Sequence, residues 1–119
     1  MSLSDFLGKN FNIMIIDFLA ENLDRDFNQT EISECTGISR ETVHEILTEL
    51  VFNKIVKITD NTYKIKKFRL SNNEIVGNLI RATFAHSFIM ADEEDCEGYK
   101  KLYEAIRSND KEPIDVYIP

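Results

Sequence analysis

The segment from Thr30 to Leu50 constrains this chain more than any other. Thr36-Gly37-Ile38-Ser39 interrupts two stretches of helical periodicity with a turn. Gly37 suits the position after a helix where the backbone needs positive φ. Ser39 suits the N-cap of the next helix, because its hydroxyl can accept a hydrogen bond from an orphan backbone N–H. Beyond it, Val43, Ile46, Leu47 and Leu50 follow i, i+3, i+4, i+7, a single apolar stripe. The reading is helix, tight turn, helix. Ile32, Cys35, Ile38, Val43 and Ile46 are expected to form the small shared core that fixes how the two helices cross.

The flanks extend this unit. Asn12 to Leu19 is strongly apolar and runs on into Glu21 without turn residues, which suits a buried first helix. Asp24 to Asn28 breaks the pattern and leaves room for a short edge strand, with Asn28 or Thr30 capping the next helix. After Asn53 the period falls from 3.6 to 2. Residues 55–59 and 62–66, around Asp60-Asn61, are expected to form a β-hairpin with a two-residue turn. Thr59 would then pair with Thr62, Ile58 with Tyr63, Lys57 with Lys64 and Val56 with Ile65. That register points Val56, Ile58, Tyr63 and Ile65 inward and Lys57, Lys64 and Lys66 outward. Facing lysines repel, a cost that an anionic partner would relieve.

A further helix is expected from about Asn72 to Ala91. It carries Ile75, Val76, Leu79, Ile80, Phe84 and Phe88, more apolar surface than one helix face in so small a chain should bear. Two copies meeting through these residues would cover it. Asp92-Glu93-Glu94-Asp95 reads as a solvated helix start or connector, without the spacing or central Gly of a calcium loop. Tyr99, Leu102, Tyr103 and Ile106 suggest a last amphipathic helix, and residues 114–118 a short terminal strand. The fold class is mainly α with one small β-hairpin (α+β). Residues 1–70 form the first domain and residues 71–119 a helical extension packed on it.

Charge sharpens the functional reading. The chain has 119 residues and a net charge of −7, which argues against indiscriminate nucleic-acid binding. Residues 1–37 and 91–119 each carry −5, whereas residues 38–70 carry +3 through Arg40, Lys54, Lys57, Lys64, Lys66, Lys67 and Arg69. The one positive segment therefore holds the second motif helix and the hairpin. A globally acidic protein can still present one basic footprint to phosphate.

Other chemistries find little support. His44 and His86 have no Cys, Asp or Glu at metal-ligand spacing, and no Gly-rich phosphate loop occurs, so neither an enzyme nor a cofactor is expected. His86 reads as a packed interface histidine. Cys35 and Cys96 read as reduced thiols, the former a small core residue. The chain lacks an apolar run of membrane-spanning length and an N-terminal signal pattern, so a cytoplasmic location and no membrane partner are expected.

Helix, helix, Thr-Gly-Ile-Ser turn, helix and lysine-bearing hairpin, in that order, resemble the winged helix-turn-helix transcriptional regulators. The resemblance rests on Ile32, Ser33, Thr36-Gly37-Ile38-Ser39, Arg40, Thr42-Val43 and Ile46-Leu47, and covers about residues 10–70. It implies a sequence-specific regulator that binds double-stranded DNA. The helix at about residues 39–53 would enter the major groove, and the basic wing, residues 55–67, would touch phosphate. The implied contacts are Ser39, Arg40, Thr42, His44, Glu45 and Thr48 on the helix and Lys57, Lys64 and Lys66 on the wing. The long helix after the wing looks like the dimerisation helix of small archaeal, viral or bacterial members, implying a homodimer. One departure stands out. Glu41, Glu45 and Glu49 form a like-charge stripe on the exposed face. Glutamate can accept from cytosine N4, but the same stripe also suits an alternative, a protein-interaction module docking a basic partner.

Overall fold

The structure is a computed structural model that describes residues 2–61, 65–93 and 104–106. The chain divides into two compact units, residues 1–86 and 87–119. In the first, a short helix α1 (Ser4–Leu7) precedes α2 (Phe11–Glu21). The Asn10 side chain caps α2 by accepting from the Ile13 N–H at 2.9 Å. Asp17 reaches back from α2, and its two carboxylate oxygens accept from the backbone N–H groups of Leu3 (2.8 Å) and Ser4 (3.1 Å). These orphan donors at the start of α1 are thereby satisfied, and Leu3 is held in the core with Ile15, Ile16 and Leu19. The sequence pattern did not announce α1.

Strand β1 (Phe27–Asn28) occupies the break after α2 and leads directly into α3 (Gln29–Thr36). Asn28 and Glu31 form a reciprocal capping box, each side chain accepting from the other's backbone N–H, at 2.8 and 3.0 Å. Gly37 adopts φ 76°, ψ 9°, the left-handed conformation expected of it. The turn is locked from within. The Ser33 hydroxyl donates to the Ile38 carbonyl and that of Thr36 to the Ile32 carbonyl, both at 2.6 Å. Ser39 then caps α4 (Arg40–Phe52), accepting from the Thr42 N–H at 3.3 Å. Val43, Ile46, Leu47 and Leu50 are all buried, as their spacing requires.

The shared helix core differs from the expectation at one place. Ile32, Ile38, Val43 and Ile46 are buried, but Cys35 is exposed. An eight-residue helix offers barely two turns, and α3 buries Ile32 alone. Ile38, lying past the turn, is buried instead.

The hairpin forms in a different register from the one expected. Strand β2 (Val56–Asp60) is antiparallel to β3 (Lys67–Leu70), with Val56 opposite Leu70, Lys57 opposite Arg69, Ile58 opposite Phe68 and Asp60 opposite Lys67 after an irregularity at Thr59. Asp60 itself pairs with Lys67, and Ile65 and Lys66 precede β3, so Asp60-Asn61 is not a two-residue turn, and Val56 does not face Ile65. Thr62, Tyr63 and Lys64 lie outside the described residues. Burial explains the choice. The observed register places Phe68 and Leu70 in the core at 8% and 4% exposure and leaves Ile65 58% exposed. It also lets β3 pair with β1 through Phe27 and Phe68, giving a three-stranded sheet ordered β1-β3-β2. Ile58, expected to face inward, is exposed. The cation opposite Lys57 is now Arg69, whose Nε lies 2.7 Å from an Asp26 carboxylate oxygen, so like-charge repulsion across the strands is offset.

Helix α5 (Glu74–Glu93) follows the sheet. Val76 is buried in the core of the first unit, and Leu79 and Ile80 pack partly against it. Of the six residues assigned to a surface between copies, Val76 therefore serves the interior of this chain, and Leu79 and Ile80 are half-buried against it. Ile75 and Phe84 remain exposed, as do Phe88, Ile89 and Met90 in the second unit. His86 stacks on Phe6, with ring centroids 4.7 Å apart. Of the proposed last helix, residues 104–106 are helical; the rest of it, Cys96 and the terminal strand lie outside the described residues.

Candidate nucleic-acid interface

Helix α4 turns its polar side outward. With Val43, Ile46, Leu47 and Leu50 buried, geometry of 3.6 residues per turn leaves Arg40, Glu41, His44, Glu45, Thr48 and Glu49 exposed. Ser39, also exposed, and half-buried Thr42 share a hydroxyl hydrogen bond of 2.9 Å at the cap. Their polar atoms are thus partly occupied in starting the helix. Thr48, also exposed, donates to the His44 carbonyl at 2.8 Å, a local bond within the helix.

Facing α4 across a cleft of about 580 Å³ is the connection of the wing. Arg40, His44, Thr48 and Lys66 all line this cleft. Its floor is apolar, with Leu47, Val51, Ile58, Ile65 and Phe68, and its remaining edge is the start of α3, with Asn28, Gln29 and Thr30. Exposed Glu45 and exposed Lys57 lie outside the cleft lining. Lys64 falls outside the described residues. Four of the nine DNA-contact residues expected from the sequence are therefore gathered around one concavity, from two elements that are distant in the chain.

Gln29 was not anticipated as part of this surface. It stands in the first turn of α3, and its side chain spans to α4. Its amide Nε2 donates to the Arg40 carbonyl at 2.9 Å, and its Oε1 lies 3.3 Å from His44 Nδ1. The sequence signal was the choice of Asn28 over Thr30 as the cap, which puts Gln29 in the first turn of α3.

Among the described residues, no three His, Cys, Asp or Glu side chains gather as a metal site would require. Among them, too, no helix is long and apolar enough to cross a membrane.

Comparison with known proteins agrees with this geometry. No family model matches the sequence, and no curated protein matches it. Among solved structures, the chain is similar to the reduced form of the transcriptional regulator YodB from B. subtilis, at 31% identity over 79% of this chain and 88% of that one, with a TM-score of 0.51. The fold is also that of a MarR/EmrR family transcriptional regulator from Acinetobacter sp. ADP1, at 17% identity over 88% of this chain and 76% of that one, with a TM-score of 0.51. A mutant of Lactococcus lactis ZitR in its apo form gives 16% identity over 82% of each chain and a TM-score of 0.50. With the motif turn, the outward helix and the sheet-borne wing in place, and with 31% identity to YodB over most of both chains, the chain belongs to the winged helix-turn-helix transcriptional regulators.

Proposed function

We propose that this chain is a sequence-specific regulator that inserts α4 into the major groove of double-stranded DNA and sets its wing on the phosphate backbone. The observation that carries the proposal is the cleft that unites Arg40, His44 and Thr48 on α4 with Lys66 on the wing. A recognition helix needs side chains that reach base edges, and a neighbouring element that holds phosphate fixes its register. Arg40 offers a bidentate fork to guanine O6 and N7. Lys57, Lys64 and Lys66 neutralise phosphate and make binding salt-dependent. Ser39 and Thr42 serve the start of the helix and approach the backbone there.

The functional molecule in this reading is a cytoplasmic homodimer. Support comes from Ile75, Phe84 and Phe88, apolar side chains on α5 exposed in the isolated chain. Residues 1–70 then act as the reading domain and residues 71–119 as the dimerisation element, two copies facing a pseudo-palindrome. Selection of bound DNA from a random pool at about physiological salt tests the reading. A recovered pseudo-palindrome supports it. Failure to retain any DNA, even in low salt, overturns it.

A second reading is favoured by one observation, the exposure of Glu41, Glu45 and Glu49 along α4. In it, this acidic face docks a basic protein. Recovery of a stable partner that is lost on charge reversal at Glu41 and Glu45, with no DNA retained, would decide for it.

A further inference from the structure

The contact between Gln29 and His44 determines more than packing. A backbone carbonyl can only accept a hydrogen bond, so the Gln29 group 2.9 Å from the Arg40 carbonyl must be its NH2. The reverse amide orientation would set two oxygens against each other. Gln29 Oε1 therefore faces His44 Nδ1 at 3.3 Å. An amide oxygen also only accepts, so Nδ1 must carry the ring proton. A neutral imidazole has one N–H, which leaves Nε2 as a bare acceptor on the exposed wall of the cleft.

This result fits the neighbours of His44. Glu41 and Glu45, the flanking exposed residues on α4, carry carboxylates that also only accept. The outward centre of the helix is thus an acceptor surface, with Arg40 the donor at its edge. In the major groove the hydrogen-bond donors are the exocyclic amino groups of adenine and cytosine, N6 and N4; guanine and thymine edges offer acceptors.

We propose that Gln29 is a positioning residue that fixes the tautomer of His44, and that His44 Nε2 accepts from the amino group of an adenine or cytosine next to the base read by Arg40. The base assignment rests on the DNA-binding reading above; the role of Gln29 does not. Without Gln29 the ring can present an N–H instead, which suits guanine or thymine. The side chain that selects the base would then be set by a residue on the other motif helix.

Two measurements test this. Nitrogen NMR of the free 15N-labelled protein, at a pH where the ring is neutral, reads the tautomer of His44 without DNA. The expected result is Nδ1–H in the wild type and a mixture or Nε2–H in Gln29→Leu. Nε2–H in the wild type, or no change in Gln29→Leu, overturns the positioning role. Selection from a random DNA pool then compares wild type, Gln29→Leu and His44→Ala. The position whose preference changes in His44→Ala should favour adenine or cytosine about three- to tenfold in the wild type, the range of one neutral hydrogen bond, and lose that bias in Gln29→Leu. Guanine or thymine at that position overturns the base assignment. A wild type that retains no DNA overturns the DNA reading and the base assignment with it, while the NMR result still decides the role of Gln29.

Discussion

The side-chain amide of Asn73 donates to the carbonyl of Lys54 at 2.7 Å, and its oxygen accepts from the Val76 N–H at 3.0 Å. One side chain thus caps the start of α5 and ties it to the turn that ends α4. Asn73→Ala should destabilise the protein by about 1–2 kcal/mol, the cost of a lost cap and a lost second bond. Asn73→Asp keeps the cap and loses the donor, so it should cost less. Urea unfolding followed by circular dichroism gives both values, seen as a lower midpoint at unchanged slope.

Lys54 itself adopts φ 66°, and among the described residues no other non-glycine residue has positive φ. Side chains with a Cβ are strained there. Lys54→Gly should therefore stabilise the fold by about 0.5–1 kcal/mol, the relief of strain exceeding the added freedom of the unfolded chain. Lys54→Val should destabilise it. Thermal unfolding of the two variants should move in opposite directions from the wild type.

Arg40 and Lys66 line the same cleft but have different expected signatures. Arg40→Ala should weaken binding to the selected site by about 1–3 kcal/mol and relax the preference at one base pair. Lys66→Ala should weaken all sequences to a similar degree and reduce the slope of log affinity against log salt by about 1. Titrations of cognate and scrambled duplexes at several salt concentrations separate the two. Equal loss of specificity in both variants would contradict the division of roles.

Phe84 and Phe88 are 45% and 71% exposed on α5. Phe88→Asp should convert the proposed dimer into a monomer, as an unpaired charge at an apolar contact disfavours association. Light scattering reads this as a halved mass, with the helical circular dichroism of the chain retained. Val76→Asp should instead unfold the first unit, because Val76 lies in its core.

The turn between the motif helices was legible in the sequence because each residue there has a local task. Gly37 supplies positive φ, Ser39 caps, and Val43, Ile46, Leu47 and Leu50 declare a face. The polar side of α4 followed from the same spacing. The pairing of β2 was not legible. Three short apolar pairs, Val56 with Ile58, Tyr63 with Ile65 and Phe68 with Leu70, each show a period of two, so that period fits several registers. What selected among them was the burial of Phe68 and Leu70 and the presence of β1 on the far edge of β3. Cys35 was misread because helical spacing says which side of α3 it occupies but not how far the core extends. Gln29 escaped notice for a related reason, since its partners lie across the turn at Arg40 and His44 and depend on how the two helices cross.

The glutamates of α4 bear on how such a protein would find its site. Glu41, Glu45 and Glu49 lie on the exposed side of the helix that would enter the groove. On non-cognate duplex each meets a negative potential, with the amino groups of adenine and cytosine not placed to repay it. In the proposed DNA-binding mode, such a regulator would form weak and brief complexes with bulk genomic DNA. Less of it would be sequestered on the many competing sites, so fewer molecules per cell would be needed to keep the operator occupied.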